Sequence, residues 1–317
     1  MDSKITKQRL SKLLSYDWLK MLFCVALAII IWTLVFSFTS TKITNTQEFI
    51  TFSYSANETV SKDFYRLMDD AKENTFSYEV MKAEMVDLNN KGNSSTYFQS
   101  YLEAGMGDLL FVPNIDNPSS KKENEDGTFS YTKHPQEFLN SWFIRVQSVD
   151  EFLADMRAYV AQYYTQSGAL DKAKVEEDFR KHVKENNDKR FKGKKNFENG
   201  LLQEYARIEK YAAALTEFQG YLDAKLVEFV EMEVLGKNGE VYRENANFAI
   251  NLCPDTATMG ELNDFLCYYS FANTSLTAQD MCVMFFDLPY NNDNYRYESL
   301  LFVNRLIAEA RARTLAK

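Results

Sequence analysis

Asp108-Leu-Leu-Phe-Val-Pro-Asn114 is a short, continuously apolar run closed by proline and asparagine. A run without polar alternation is what a strand covered on both faces of a parallel sheet requires. Upstream, Ser94-Ser-Thr96 caps a helical stretch, Tyr97–Ala104, that stops at Gly105-Met-Gly107. Before it, Tyr78–Leu88 alternates apolar and polar residues as a strand does and ends in turn chemistry at Asn89-Asn-Lys-Gly92. Earlier still, Asn57-Glu-Thr-Val-Ser61 opens a polar-capped stretch through Lys72 with Phe64, Leu67, Met68 and Ala71 at helical spacing, and Glu48–Ser55 is β-rich and aromatic. Strand, helix, strand, helix, strand within about seventy residues predicts an open α/β half-domain with right-handed crossovers. Ligands of such sheets lie beyond the carboxyl ends of the strands. Those ends make Asn57, Glu58, Asn89 and Asn114 candidate ligand residues.

Downstream, residues 115–135 are polar with Pro, Gly and Ser and read as a loop or boundary. Asp150–Tyr164 then places Phe152, Leu153, Met156, Val160 and Tyr163 on one helical face. Residues 171–198 alternate charges, with pairs such as Glu176 and Arg180 at i, i+4, and read as a solvated face or helical hairpin. Leu201–Val230 carries Leu201, Tyr205, Ile208, Ala212, Leu215 and Gln219 at four-and-three spacing, continued by Leu222, Leu226 and Phe229. Its Ala, Gln and aromatic positions suit a long helix packed within its own domain better than a coiled coil. The chain returns to mixed structure at Ala246–Leu252, a helix near Met259–Tyr269, a buried-strand run Met281–Leu288 and a final helix from Tyr297 to about Ala312.

At the other end of the chain, Met21–Thr39 (MLFCVALAIIIWTLVFSFT) holds no charge over nineteen residues. As a helix it covers about 28 Å at about 1.5 Å per residue, close to the hydrocarbon thickness of a bilayer. Lys4, Lys7, Arg9, Lys12 and Lys20 precede it against Asp2 and Asp17, while the far flank offers Lys42. The positive-inside rule then keeps the N-terminus in the cytoplasm and the bulk of the chain outside. A cleaved signal peptide is the alternative. The length of the run, the lack of a small-x-small pattern in Ser37–Lys42 and the position of Cys24 near the inner end favour an uncleaved anchor over it and over a lipoprotein.

The net charge is −9; the first forty residues contribute +3, so the exterior carries −12. Such a surface makes nucleic acid and anionic polymers poor candidate partners, and none is expected. Aromatics make up 15% of the chain, which suits a well-packed core first and a carbohydrate-type pocket second. Cys253, Cys267 and Cys282 imply no paired framework in a domain of this size. The sequons at Asn57, Asn93 and Asn273 carry little information.

Catalytic signatures are mostly absent: acidic pairs such as Asp69-Asp70 and Glu176-Glu177 are available to a carboxylate hydrolase, a further alternative, but the sequence gives no sign of a cleft that joins them. Two histidines, His134 and His182, give neither a metal cluster nor a triad, and no phosphate-binding, metalloprotease or nucleophile-elbow motif occurs. No cofactor or metal is expected. Asp287–Glu298 spaces oxygen side chains somewhat like a calcium loop, but Pro289 replaces a ligand and the glycine is missing, so a strand-to-helix turn is the plainer reading. In the same loop Tyr290 and Asn291 suit stacking and hydrogen bonding with a sugar, beside the plain reading of an Asn-rich turn.

The segment Phe49–Asn114, with its Tyr97-x-x-x-Tyr-Leu-Glu-Ala-Gly-Met-Gly-Asp-Leu-Leu-Phe-Val112 helix-to-strand passage, resembles the first lobe of sugar-type solute-binding proteins of ABC importers. The tail, Phe248–Leu252 through Met281–Leu288 and Tyr297–Ala308, resembles the end of the same proteins. The resemblance implies a periplasmic-binding-protein-like open sheet lobe with a large helical insertion, anchored by one N-terminal transmembrane helix. It also implies binding of a small sugar or oligosaccharide without catalysis, with an importer permease and the bilayer as partners. The alternative is a surface scaffold that kept the fold without a pocket. The expected organisation is a cytoplasmic segment 1–20, an anchor 21–39, a linker 40–46, an α/β lobe 47–135, a helical region 136–245 and an α/β return with the C-terminal helix at 246–317.

Overall fold

The computed structural model describes residues 7–39, 47–54, 61–89, 94–236, 240–272, 274–287 and 296–317. The chain divides into two compact units, Met1–Ile43 and Thr44–Lys317. The first holds one helix, α1 (Lys7–Thr39), whose segment Trp18–Phe36 is long and apolar enough to cross a membrane and is nowhere buried.

The second unit is mixed α/β. It begins β1 (Glu48–Ser53), α2 (Lys62–Asp70), β2 (Lys82–Asp87), α3 (Ser94–Glu103) and β3 (Leu109–Pro113). Both β2 and β3 pair parallel to β1, one on each side. All five residues of β3 are buried, as an apolar run without alternation demands. Its side chains divide between two cores: Leu109 and Phe111 meet α2 on one face, Leu110 and Val112 meet α3 on the other. Asp108, buried at the entry to β3, accepts the Ile50 N–H at 2.7 Å and so ties the two central strands together. Gly105 and Gly107, at φ 73° and 127°, supply the turn that ends α3, in backbone regions where a side chain would be strained.

After β3 the chain makes the small hairpin β4 (Lys122–Glu123) and β5 (Phe129–Ser130), then α4 (His134–Trp142), β6 (Val146–Gln147) and α5 (Val149–Ala161). A capping box, Ser148 with Glu151, starts α5, and its predicted face is buried. α6 (Lys172–Glu185) and α7 (Lys194–Asp223) follow, then β7 (Glu228–Leu235) and β8 (Val241–Asn251). The stretch expected to be helical to residue 245 therefore gives way to strand at Glu228. The helix ends early because Lys225 adopts φ 54°, a left-handed stop that usually falls to glycine and is invisible when lysine fills it. A short helix α8 (Thr256–Met259), a hairpin β9 (Tyr268–Ser270) and β10 (Ser275–Thr277), the strand β11 (Met281–Phe286) and α9 (Glu298–Ala316) complete the chain.

The main sheet runs β2-β1-β3-β11-β8-β7, with β6 pairing the far end of β11. β11 is antiparallel to β3 and to β8, so the sheet is mixed. α2, α5, α7 and α9 cover one face; α3 and α4 cover the other.

The buried stripe of α7 is Gly200, Glu204, Arg207, Tyr211, Ala214 and Phe218, with Ile208 beside it. The spacing is the expected one, displaced by one residue, about 100° around the helix. Apart from Ile208, the expected apolar row flanks the seam, because the seam itself carries a charged pair that an apolar pattern cannot reveal.

Candidate functional site

Strand order places the topological switch point between β1 and β3: the chain leaves β1 for β2 on one side and returns as β3 on the other. Beyond that point stand Tyr54 and Asn114. The Tyr54 N–H donates to the Phe111 carbonyl at 2.8 Å, and its ring meets His134 at 4.9 Å and Phe138 at 5.6 Å between centroids. Burial lowers the His134 pKa, against the opposing pull of Glu137 and Asp116, so the imidazole is neutral at pH 7.

Because β11 is antiparallel, its first residue and the last of β8 lie at this same edge. The Asn114 N–H donates to the Asp280 carbonyl at 2.9 Å, and Asn251 Nδ2 donates to Asp280 Oδ1 at 2.8 Å. Asp280 holds φ 56°, which turns the chain sharply into β11.

Two excursions leave the edge from neighbouring strands. Residues 115–133 are closed at the base by His134 N–H to Ile115 and Asn117 N–H to Thr132, and residues 254–279 by Asp280 N–H to Cys253. The expected loop 115–135 is thus a closed arm carrying a hairpin. Their outer parts expose aromatic rings: Phe129 is 49%, Tyr131 41% and Phe271 78% accessible. The Lys121 ammonium stands 3.6 Å over the Phe129 ring and Tyr269 packs edge-on against Phe271; exposed rings and amide side chains are the groups that stack on and hydrogen-bond to a polar ligand with flat apolar faces.

Asn114 lies at this edge. Asn89 lies at the end of β2, one strand beyond β1, where its N–H and Nδ2 both donate to Asp87 Oδ1 at 2.8 Å. Asn57, Glu58, Tyr290 and Asn291 lie outside the described residues. Asp287, which leads toward Tyr290 and Asn291, follows the last residue of β11 and donates its N–H to Arg145 at the opposite edge of the sheet. Tyr54, His134, Asn251 and Asp280 join the edge only through strand order.

The opposite, amino-terminal edge holds a buried polar network. Arg207, 2% exposed, donates through Nε to Glu204 Oε2 at 2.8 Å and through Nη2 to the Tyr159 hydroxyl at 2.7 Å. The Tyr78 hydroxyl donates to Glu204 at 2.7 Å, and the Tyr211 hydroxyl donates to Glu298 at 2.7 Å. Ser77, presented by a single wide turn of helix over Ala71–Thr75, donates its N–H to Glu298 at 3.1 Å. Burial pushes the Glu204 carboxyl up, but Arg207 and the Tyr78 hydroxyl more than offset it and hold it below the ordinary glutamate range. At Glu298 burial prevails over the Ser77 and Tyr211 hydrogen bonds and holds the carboxyl above that range. Two carboxyls with separated pKa values are what a carboxylate hydrolase uses. Here both stand behind the wall of a cavity of about 690 Å³ and neither lines it.

Among the described residues no group of acidic, histidine or cysteine side chains could hold a metal. Comparison with known proteins yields no matching family model, no matching curated protein and no matching solved structure.

Proposed function

We propose that this protein is a membrane-anchored, extracytoplasmic binding protein that holds a sugar or oligosaccharide at the carboxyl edge of its sheet, beside the permease of an ABC importer. In this reading α1 spans the bilayer with its N-terminus in the cytoplasm, and the α/β unit has a periplasmic-binding-protein-like lobe. The observation that carries the proposal is the pair of closed arms, 115–133 and 254–279, that leave the switch-point edge beside Tyr54, Asn114, Asn251 and Asp280. Aromatic rings and amide groups are the side chains that stack on and hydrogen-bond to sugars. The anchor raises the effective concentration of the binder at its permease, so affinity need not be high.

A scaffold that keeps the fold without a pocket is the second reading. It draws on one feature: residues 44–317 are a single compact unit around one main sheet, whereas periplasmic binding proteins close two domains around their ligands. A thermal-shift panel of sugars, oligosaccharides, amino acids and calcium on the intact chain in nanodiscs separates the two, because a ligand of the folded state raises its melting point. A dose-dependent rise with one sugar class supports the binder; a folded protein that ignores the whole panel supports the scaffold.

A further inference from the structure

The cavity at the amino-terminal edge belongs to a different part of the molecule from the sugar-binding edge. It is lined by segment 72–81, by Arg190 and Phe191, and by one face of α7, and its volume of about 690 Å³ is that of a small-molecule site. Its charge is opposite to that of the chain. Lys72, Arg190, Arg207 and Lys210 line it, against Glu73 as the one carboxylate, in a protein of net charge −9.

The acids that balance the two guanidinium groups stand outside the lining. Arg190 is held by Asp188 at 2.6 Å and Glu79 at 3.5 Å, and Arg207 by Glu204. Both arginines are thereby fixed in place in the cavity wall. The Lys210 ammonium holds a neutral acceptor, the Thr75 carbonyl, at 3.0 Å, and among the described residues neither Lys72 nor Lys210 is paired with a carboxylate. Between these cations the wall is apolar and aromatic: Phe76, Val80, Met81 and Phe191. With both guanidinium groups balanced by Glu79, Asp188 and Glu204, the charge left in the lining is that of Lys72 and Lys210 against Glu73, a net positive charge that attracts an anionic group; an apolar wall of this size accepts a hydrocarbon or aromatic body.

From this arrangement we infer that the cavity is a second binding site, for a small organic anion whose phosphate or carboxylate is carried on an apolar or aromatic body. The anionic group meets Lys72 and Lys210, and the body lies against Phe76 and Phe191. The site is independent of the sugar reading and stands or falls without it.

Isothermal titration of the intact chain in phosphatidylcholine nanodiscs, whose lipid brings no net charge, tests the inference with phenyl phosphate, inorganic phosphate and phenol. Phenyl phosphate binds saturably and at least about tenfold more tightly than inorganic phosphate, phenol gives no saturable heat, and affinity falls as salt screens the rim. Lys72→Gln with Lys210→Gln weakens phenyl phosphate at least about tenfold, while Lys181→Gln on the surface of α6 leaves it unchanged. Both rim lysines are exposed, so the double variant folds, which its unchanged melting point verifies. Absence of phenyl phosphate binding to the wild type, equal binding by the double variant, or displacement of phenyl phosphate by a sugar that binds the protein would each overturn the inference. A sugar panel without hits, alongside saturable phenyl phosphate binding, would remove the sugar reading and leave this one intact.

Discussion

Arg207→Leu removes the cation from the most deeply buried ion pair and leaves the Glu204 carboxylate, 6% exposed, with the Tyr78 hydroxyl as its remaining donor in the network. Breaking a buried pair from one side costs about 3–5 kcal/mol, because the surviving charge keeps its desolvation penalty. For a unit the size of residues 44–317 each kcal/mol moves the melting point by about 2–3 °C, so the variant melts about 6–15 °C lower. The pH response identifies the cause. In the wild type Glu204 sits below its unfolded value, so its contribution is present above pH 4.5 and is lost as pH falls through the folded pKa. With the Arg207 charge gone, burial prevails over the Tyr78 hydrogen bond, the folded pKa rises, and stability recovers as pH falls from neutral toward 4.5. Arg207→Leu with Glu204→Leu removes both charges and regains most of the loss, less about 1 kcal/mol for the Tyr78 hydroxyl left without its acceptor. Differential scanning calorimetry of the wild type, Arg207→Leu, Glu204→Leu and the double variant from pH 4 to 8 provides the readout. A loss below about 1 kcal/mol in the single variant, or a double variant as unstable as the sum of the two single ones, would refute the view that the pair is a mutually dependent strut between α5, α7 and the segment before β2.

Glu298→Gln tests the second buried carboxyl. Its folded pKa is raised, so wild-type stability from this group is full below pH 4.5 and declines as pH rises through the folded value; the melting point of the variant relative to wild type therefore climbs from pH 4.5 upward, and a gap that is flat with pH contradicts the assignment. At Gly200 a Cβ would run into the ring of Phe191 and come within 2.8 Å of Phe179 Cζ, so Gly200→Ala forces α7 away from α6 and the Phe191 turn at a cost of about 1–3 kcal/mol. Faster amide exchange confined to α6 and the start of α7 is the expected sign. Cys253 is fully buried, its thiol pushed up to about 12 by burial and by the nearby Asp280 and Asp255 carboxylates, and Cys282 is buried and shifted in the same direction. Iodoacetamide at pH 8 accordingly modifies Cys267 before either of them, and all three only after unfolding in urea.

The apolar runs were legible. Glu48–Ser53, Leu109–Pro113 and Met281–Phe286 are strands because β-rich or unbroken apolar segments between turn residues leave few other ways to bury themselves. The α2 and α5 faces and the terminal helix followed from helical spacing in the same way. β7 was missed because Leu222, Leu226 and Phe229 carry the helical spacing past the end of α7, although Glu231-Met-Glu-Val234 alternates as a strand does, and nothing local reveals Lys225 in a left-handed conformation. The α7 seam was misplaced by one residue because its centre is Glu204, Arg207 and Tyr211, whose burial depends on partners from three other segments, Tyr78, Tyr159 and Glu298. The place of Asn114 at the sheet's carboxyl edge followed from strand-end logic alone, whereas that of Asn251 and Asp280 depends on β11 inserting antiparallel between β3 and β8, a long-range fact that no local pattern encodes.

Calorimetric titration of the intact protein in nanodiscs with neutral oligosaccharides, wild type beside Asn114→Ala, tests the central claim most directly. The account predicts a saturable heat in the wild type and at least about a tenfold loss of affinity in the variant at an unchanged melting point. No saturable heat with any oligosaccharide, or equal affinity in both proteins, would contradict a sugar site at the β1–β3 edge.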